Sequence, residues 1–392
     1  MAKLLVVNIP YVGHINPTLG LVKGLVEDGH CVDYICAEEW RNKIETTGAR
    51  LIPYINYSNI PTSDERTLRC YMSAYTTALM VGEKYDLIIY EMFFYLGYTL
   101  AKQLKKPVIR LFSSHALNDN VIEDMFLISS RLNHLPVISN IRRKSARLSW
   151  HTDILSLWIT RKEKDRFFEI ARCIPELNIV YTTKEFQDRG EEFDNRFKFV
   201  GSSITKRKED SSSTWEFPFL EENKPLIYIS MGTVYKRGAI FYKKCIRAFK
   251  NENYNVIISA GKRLNLNQIG KTPPNIKVFS SVPQLEILQK ASLFITHGGM
   301  NSISEAIYYK VPMIVIPNRS DQPLNAVRVE QVGIGKKTKS TITARKLRKL
   351  TGNLLKDDSI ARKINEIHEC GVRAGGDEKA IEYVEEYISR VL

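Results

Sequence analysis

Paired cysteines, long apolar runs and a leader segment are all missing from this sequence, and each absence excludes a class of protein. The six cysteines form no CxxC pair and no metal-binding spacing, so buried free thiols are expected. No apolar run approaches the roughly 18 residues that a membrane span needs. The opening MAKLLVVNIP is too short for a signal peptide. We therefore expect a cytoplasmic protein with no stable membrane insertion.

Negative charge is also in short supply. Lysine and arginine number 57 against 43 aspartates and glutamates, which leaves a net charge of +14. The basic residues are scattered and no nucleic-acid-binding motif accompanies them, so we expect no nucleic-acid partner. Two other uses of the charge stay open: attraction of a phosphorylated ligand, and a loose hold on an anionic membrane surface.

Length and the alternation of short apolar runs with helical patterns predict two domains of the α/β class. The 392 residues with 44% hydrophobic content are enough for two cores. A charged segment with a serine run, Ser211–Ser213, breaks the alternation as an interdomain linker does. We predict a first domain over 1–203, a linker over 204–224, a second domain over 225–375 and a final helix over 376–392.

The first domain opens with a strand, a helix and a strand. Lys3 to Ile9 is an apolar strand, Pro17 to Asp28 a predicted helix with Asn16 as its N-cap, and Cys31 to Cys36 a second strand. This order and length predict a parallel pair with a crossover. Parallel sheets bind ligands beyond the carboxyl ends of their strands, and the candidate residues named below follow predicted strands.

The stretch 281–325 has the most specific pattern. A short apolar strand, Leu293 to Thr296, precedes His297-Gly298-Gly299, a helix is predicted from Asn301 to Tyr309, and a second strand, Met313 to Ile316, ends in a polar loop. Glycines let the backbone approach a ligand closely, and a helix start offers unpaired N–H groups and a positive dipole end. This favours a phosphate site, although an ordinary glycine turn shares the His-Gly-Gly part.

Side chains next to this turn suit the same ligand. Asn301 and Ser302 add donors at the helix start, and His297 can donate to an anion. Glu305 lies about one helical turn further on, where a carboxylate can accept from a pair of ribose hydroxyls.

Two sets of residues carry a family resemblance. The first set is Gly13-His14-Ile15-Asn16-Pro17-Thr18-Leu19. The second set is Pro283, Gln284, Leu288, Thr296, His297, Gly298, Gly299, Asn301, Ser302, Glu305, Val311, Pro312, Pro317, Asp321, Gln322, Asn325 and Ala326. On these residues nearly the whole chain resembles the family-1 glycosyltransferases, and within them the bacterial macrolide and flavonoid group.

The resemblance implies the GT-B fold, which consists of two facing, Rossmann-like, doubly wound parallel-sheet domains. The first domain would bind the acceptor and the second the nucleotide sugar, and the final helix would pack back on the first domain. It implies an inverting transfer of glucose from UDP-glucose to a hydroxyl of a small hydrophobic acceptor, such as a natural product or a phenol. No Asp-x-Asp cluster occurs, so we expect no metal and no other cofactor.

The resemblance places the catalytic base at His14. A hydroxyl is a poor nucleophile until a positioned base takes its proton. A carboxylate is expected to hold the other ring nitrogen, as in a catalytic triad. The family has an aspartate there, whereas this chain has Glu91; Asp86 lies at the wrong end of its strand. A structural loop histidine and a solvated loop acid are the alternatives for His14 and Glu91.

The donor side is assigned by the same resemblance. Asp321 and Gln322 would bind the hydroxyls of the sugar, and Val282 and Gln284 would meet the base and the ribose. Ser281 replaces an aromatic residue that usually stacks on the uracil, which puts base identity and affinity in doubt. The donor-binding candidates are Ser230, Thr233, Val282, Gln284, His297, Gly299, Asn301, Ser302, Glu305, Asp321 and Gln322.

The candidate residues for binding the acceptor are all aromatic. Tyr71, Phe93 and Phe126 indicate an apolar and planar substrate, although the same residues would also suit a hydrophobic core. Two other functions stay open at this point. One is a nucleotide-sugar 2-epimerase of the same fold, and the other is a non-catalytic protein that binds nucleotide sugars.

Overall fold

The chain folds into two compact units. The computed structural model describes residues 1–57, 63–132, 163–204, 221, 223–232, 238–318 and 320–392. One unit comprises Met1–Thr205 and Ala374–Leu392, and the other comprises Lys206–Arg373. The predicted linker at 204–224 lies almost wholly outside the described residues, so it stays a prediction, as do the domain limits.

The first unit contains a parallel sheet of seven strands in the order β3-β2-β1-β4-β5-β6-β7. Its strand order reverses direction at β1, as in a doubly wound sheet. The strands are β1 (Lys3–Val7), β2 (Cys31–Cys36), β3 (Arg50–Pro53), β4 (Leu87–Glu91), β5 (Val108–Phe112), β6 (Leu177–Val180) and β7 (Phe197–Phe199).

Helices cover both faces of this sheet. They are α1 (Val12–Glu27), α2 (Arg41–Glu45), α3 (Ser63–Val81), α4 (Gly97–Leu104), α5 (Asp119–Leu132) and α6 (Glu163–Arg172). Short 3₁₀ helices occur at Glu38–Trp40, Gly82–Lys84 and Gly190–Glu192. The sheet is buried on both sides, so β4 and β5 consist almost entirely of buried residues and separate two hydrophobic clusters.

The second unit repeats this plan with six parallel strands in the order β10-β9-β8-β11-β12-β13. The strands are β8 (Leu226–Ser230), β9 (Asn255–Ser259), β10 (Ile276–Phe279), β11 (Leu293–Thr296), β12 (Met313–Val315) and β13 (Gly335–Lys337). Its helices are α7 (Ala239–Phe249), α8 (Gln284–Leu288), α9 (Met300–Tyr308), α10 (Gln322–Gln331), α11 (Ala344–Leu354) and α12 (Asp358–Ala374), with a 3₁₀ helix at Leu266–Gln268.

The predicted class, two doubly wound parallel-sheet α/β domains, is confirmed. In the part of the chain that the structure describes, no helix combines the length and the apolar character that a membrane crossing requires. The expected cytoplasmic location stays a prediction.

The first helix, α1, begins at Val12, so the prediction that it begins at Pro17 with Asn16 as its N-cap is wrong. Tyr11 takes the N-cap position, and its carbonyl accepts from the N–H of His14 at 2.9 Å. A proline inside a helix removes one backbone hydrogen bond, and burial of most of α1 compensates for this loss. His14 therefore lies in the first turn of a helix and not in a loop.

The last helix of the chain, α13 (Gly376–Val391), packs against α1. Two glycines of α1 allow the close approach. A Cβ on Gly20 would lie 1.9 Å from Asp377 Oδ2, and one on Gly24 would lie 2.0 Å from Ile381 Cδ1. Asp377 is only 1% exposed, so it has little room to move aside.

We expect Gly20→Ala to destabilise the protein by about 1–3 kcal/mol, because the added methyl group overpacks the contact with Asp377. Urea unfolding followed by circular dichroism measures this difference. Gly13→Ala is the matched control on the same helix, since a Cβ there meets nothing within 4 Å. Equal unfolding midpoints for the two variants would contradict the close approach of α13 to α1.

Candidate active site

Polar side chains collect at the carboxyl ends of three neighbouring strands in the first unit. Asn8 follows β1, Glu91 is the last residue of β4, and Ser113 follows β5. All three side chains are buried, at 0%, 0% and 4% exposure. Buried polar groups need hydrogen-bond partners, so this edge of the sheet requires a connected network.

Asn8 fixes the start of the helix that carries His14. Its side-chain amide donates to the carbonyl of His14 at 2.9 Å and to the hydroxyl of Tyr34 at 2.7 Å. Its side-chain oxygen accepts from the N–H of Ile9 at 2.7 Å. These hydrogen bonds tie the first turn of α1 to the end of β1. They fix the position of the His14 backbone, from which the imidazole extends.

Ser113 joins His14 to Glu91. Its hydroxyl donates to Glu91 Oε1 at 2.6 Å, and its oxygen lies 3.0 Å from His14 Nδ1. His14 Nδ1 is itself 3.3 Å from Glu91 Oε1. The carboxylate is thus in reach of the imidazole both directly and through a hydroxyl.

This network determines which nitrogen of His14 carries the proton. A serine hydroxyl has one proton, and Glu91 accepts it, so the oxygen of Ser113 can only accept from the imidazole. Nδ1 therefore bears the hydrogen of the neutral ring, and Nε2 bears the lone pair. The His14 side chain is 21% exposed. The arrangement suits a general base that takes a proton on Nε2.

Glu91 is held at both of its oxygens. Oε1 accepts from Ser113, and Oε2 accepts from the N–H of Phe93 at 2.9 Å. The alternative of a solvated loop acid is therefore excluded, since the side chain is fully buried. A buried carboxylate close to His14 is placed to stabilise a positive charge on the imidazole.

The three acceptor candidates lie in one aromatic chain that begins at His14. The ring of Phe93 packs edge-on against His14, with centroids 4.5 Å apart. Tyr95 lies 5.9 Å from Phe93 and stacks on Tyr71 at 5.4 Å. Phe167 links Tyr95, at 6.0 Å, to Phe126, at 6.1 Å.

Exposure separates these aromatic residues into two kinds. Tyr71 is 7% exposed, whereas Phe93 and Phe126 are half-buried. Burial raises the pKa of Tyr71 well above its usual value, so its hydroxyl stays neutral. Tyr71 belongs to the hydrophobic core, and Phe93 and Phe126 retain accessible surface.

In the second unit, His297 follows β11 and its ring is confined by two glycines. A Cβ on Gly232 would lie 2.6 Å from the ring, and one on Gly299 would lie 2.7 Å from Nε2. Gly232 follows β8, the strand next to β11. Gly299 is the N-cap residue of α9 and, as a glycine, has no side chain to accept a hydrogen bond from the first turn. The imidazole therefore lies at the start of α9, beside backbone N–H groups that no N-cap side chain occupies.

Gln284, Ser302 and Glu305 form a polar cluster. The amide of Gln284 donates to Glu305 Oε2 at 2.5 Å and to Ser302 Oγ at 3.3 Å. Its oxygen accepts from the hydroxyl of Tyr228 at 3.1 Å. Burial raises the pKa of Tyr228, so this hydroxyl stays protonated. Glu305 is 6% exposed.

Asn325 connects the loops after β11 and β12. Its side-chain amide donates to the carbonyl of Gly298 at 2.8 Å and to Asp321 Oδ2 at 3.0 Å. Gln322, which is 4% exposed, accepts from the N–H of Asn318 at 2.9 Å. Asp321 and Gln322 are thus held in place next to the His-Gly-Gly turn.

Three of the other donor candidates are described by the structure. Ser230 ends β8 and pairs in register with Thr296 at the end of β11. Val282 and Asn301 are half-buried. Thr233 lies outside the described residues.

Four residues that contribute to these networks were missed as site residues by the sequence: Asn8, Ser113, Tyr228 and Asn325. Asn8 and Ser113 did carry a signal, since each is a polar residue directly after a buried strand. Among the described residues, no group of three or more histidine, cysteine, aspartate or glutamate side chains has the arrangement of a metal site. Metal independence stays a prediction.

Comparisons with known proteins identify one matching family model and relatives that align with nearly the whole chain. Residues 248–372 match the family model described as erythromycin biosynthesis protein CIII-like, C-terminal domain. The chain is 34% identical over 402 residues to the NDP-glycosyltransferase YjiC of Bacillus subtilis (strain 168), covering 98% of this chain and 97% of that protein. It is 32% identical over 401 residues to the YjiC protein of Bacillus licheniformis, covering 97% and 96%.

A solved glycosyltransferase structure is similar to this chain over almost its whole length. The glycotransferase of kitacinnamycin superposes with a TM-score of 0.79 at 25% identity, covering 98% of each chain.

Proposed function

Because the chain belongs to the family of YjiC-like NDP-glycosyltransferases, we propose that it moves glucose from UDP-glucose to a hydroxyl of a small hydrophobic acceptor. The observation that carries this proposal is the hydrogen-bonded series His14, Ser113 and Glu91, which leaves a basic nitrogen at the carboxyl edge of the first sheet. The protein is a glycosyltransferase of the GT-B fold. Its donor, its acceptor and its base are the subjects of the proposal.

The first step is removal of the proton from the acceptor hydroxyl. Nε2 of His14 takes this proton while Nδ1–H donates to Ser113. The imidazolium that forms is stabilised by the carboxylate of Glu91, 3.3 Å from Nδ1. Glu91 stands at the position of the family aspartate, and its longer side chain reaches both Ser113 and the imidazole.

The second step is transfer of the sugar. The acceptor oxygen bonds to the anomeric carbon as the bond from that carbon to the phosphate oxygen breaks, and UDP leaves with the electron pair. Attack from the face opposite the leaving group inverts the anomeric configuration. The new negative charge on UDP falls where His297 and the N–H groups at the start of α9 can stabilise it. We propose that these groups replace a metal.

Donor recognition is assigned to the polar clusters of the second unit. Glu305 is proposed to accept from the ribose hydroxyls, with Gln284 holding one of its oxygens. Asp321 and Gln322 are proposed to bind the hydroxyls of glucose. Ser281 is exposed and offers no ring for stacking on the base. The YjiC relatives are named NDP-glycosyltransferases, a name that does not specify the nucleotide. Sugars linked to other nucleotides are therefore the first alternative donors to test.

Acceptor recognition is assigned to the aromatic chain beside His14. Phe93 is half-buried and in contact with the imidazole, so a planar acceptor packed on it brings its hydroxyl close to the base. The epimerase and the non-catalytic alternatives are not favoured, because both YjiC relatives are named as transferases.

His14→Ala should lower kcat by a factor of about 10² to 10⁴, the usual contribution of a general base, and leave UDP affinity nearly unchanged. Turnover of UDP-glucose with a phenol panel gives kcat, and calorimetry gives the Kd of UDP. His297→Ala is the complementary variant, for which weaker UDP binding is expected. Full turnover by His14→Ala would refute the assignment of the base.

Ser113→Ala should lower kcat by about 10- to 100-fold, because it removes a hydrogen bond to a charged group and frees the imidazole to change tautomer. The acidic limb of the pH–rate profile should also move, which a purely structural defect would not cause. Ser73→Ala removes the same atom from another buried serine of the first unit and serves as the control. An unchanged kcat and pH profile in Ser113→Ala would show that the hydroxyl has no part in positioning His14.

Gly299→Ala should weaken UDP binding, since a Cβ at 2.7 Å from Nε2 displaces the His297 ring. Gly238→Ala in the same unit is the control, because a Cβ there meets nothing within 4 Å. Both residues have backbone angles that alanine adopts freely. Calorimetric titration with UDP distinguishes the two variants, and equal affinities would contradict the proposed placement of His297.

A further inference from the structure

Two neighbouring helices of the second unit, α7 and α11, share one side of its sheet. They pack against each other, and their inner side chains belong to a single hydrophobic cluster that includes Phe241, Phe249, Leu347 and Leu354. Their outer faces therefore point away from the sheet. These outer faces consist almost entirely of cations.

The outer face of α7 is a regular stripe. Ile240, Lys243, Arg247 and Lys250 are all exposed and recur at the three- to four-residue spacing of one helix face. Ile240 is 78% exposed, the highest value among the exposed large hydrophobic side chains in the described part of the second unit. The stripe thus combines three positive charges with one apolar side chain.

The outer face of α11 continues this stripe. Arg345, Lys346 and Lys349 are exposed on it, and Lys339 precedes it. Residues 239–250 and 336–356 contain no aspartate or glutamate. We call the exposed side chains of Ile240, Lys243, Arg247, Lys250, Arg345, Lys346 and Lys349 the basic face.

Among the residues that the structure describes, no carboxylate neutralises the charges of the basic face. In the described part of the chain, none of its six cations forms an ion pair with a carboxylate. The acid next to it in sequence, Glu252, is occupied by Arg348 at 2.5 Å. Lys244, between the stripe and the core, donates to the carbonyl of Ser340 at 2.6 Å and ties α7 to the segment before α11. The like charges are thus held together on two packed helices.

We propose that the basic face is a docking surface for an anionic lipid bilayer. Clustered lysines and arginines are attracted to anionic headgroups. Each such residue raises the binding constant by about fivefold. Ile240 would enter the boundary between headgroups and acyl chains, as apolar residues of surface-bound helices do. Docking of this kind is peripheral and needs no spanning helix.

The exposed isoleucine favours a bilayer over a nucleic acid. A phosphodiester backbone attracts the same cations but offers no apolar phase for Ile240. The inference does not depend on the chemistry proposed above. If the acceptor is apolar, docking would place the enzyme where such acceptors accumulate.

The test compares binding of the full-length protein to two kinds of vesicle, phosphatidylcholine alone and phosphatidylcholine with about one-third phosphatidylglycerol. Flotation at low salt should recover the protein with the anionic vesicles only, and raised salt should release it. The triple variant Lys243→Glu, Arg247→Glu, Lys346→Glu should lose at least 30-fold in apparent affinity. The same number of reversals at Lys3, Lys84 and Lys271, all exposed, should lose far less.

Two further measurements separate lipid binding from nucleic-acid binding and from a loss of folding. Ile240→Ser should weaken binding to anionic vesicles and leave binding of a DNA duplex unchanged, whereas the charge variant would affect both. The thermal midpoint and the circular dichroism spectrum should match wild type in all variants, which shows that they are folded. The proposal is overturned if wild type ignores anionic vesicles, if both triple variants lose affinity equally, or if only the duplex is bound.

Discussion

A serine hydroxyl has one proton to give, and in this protein Glu91 receives it. From that constraint the oxygen of Ser113 can only accept from His14, Nδ1 must carry the hydrogen, and Nε2 must carry the lone pair. The second oxygen of Glu91 is held by the backbone of Phe93, whose ring packs on the imidazole. The proposed base, the groups that orient it and the proposed aromatic contact for an acceptor are therefore one connected unit.

The second unit reaches a comparable rigidity by different means. Its histidine, His297, is confined by backbone at Gly232 and Gly299, where any side chain would collide with the ring. Asn325 then ties the glycine turn to Asp321 through two hydrogen bonds. Both units place these polar groups at the carboxyl edge of a parallel sheet, which is where open α/β sheets bind ligands. The proposed base and the proposed anion site thus lie at corresponding edges of two similar sheets.

Much of the fold was predictable because buried parallel strands are short apolar runs with clear ends. The predicted limits of β2 and β11 agree with the structure. The strand β13 (Gly335–Lys337) was missed because it has no apolar run: a buried glycine is followed by two exposed lysines at one edge of the sheet. The start of α1 was misplaced because proline frequency at helix starts is a local rule, whereas burial of the helix is a tertiary effect.

The α/β class could be read from the sequence because it depends on local periodicity, and the glycosyltransferase family because its motifs are contiguous patterns that resemble those of known members. The orientation of His14 could not be read in this way. Ser113 is 99 residues away from it in the chain, and Asn8, which anchors it, has no recognisable motif. Hydrogen bonds between distant residues depend on distances and angles set by the sheet register, and one chain's sequence carries no direct record of them.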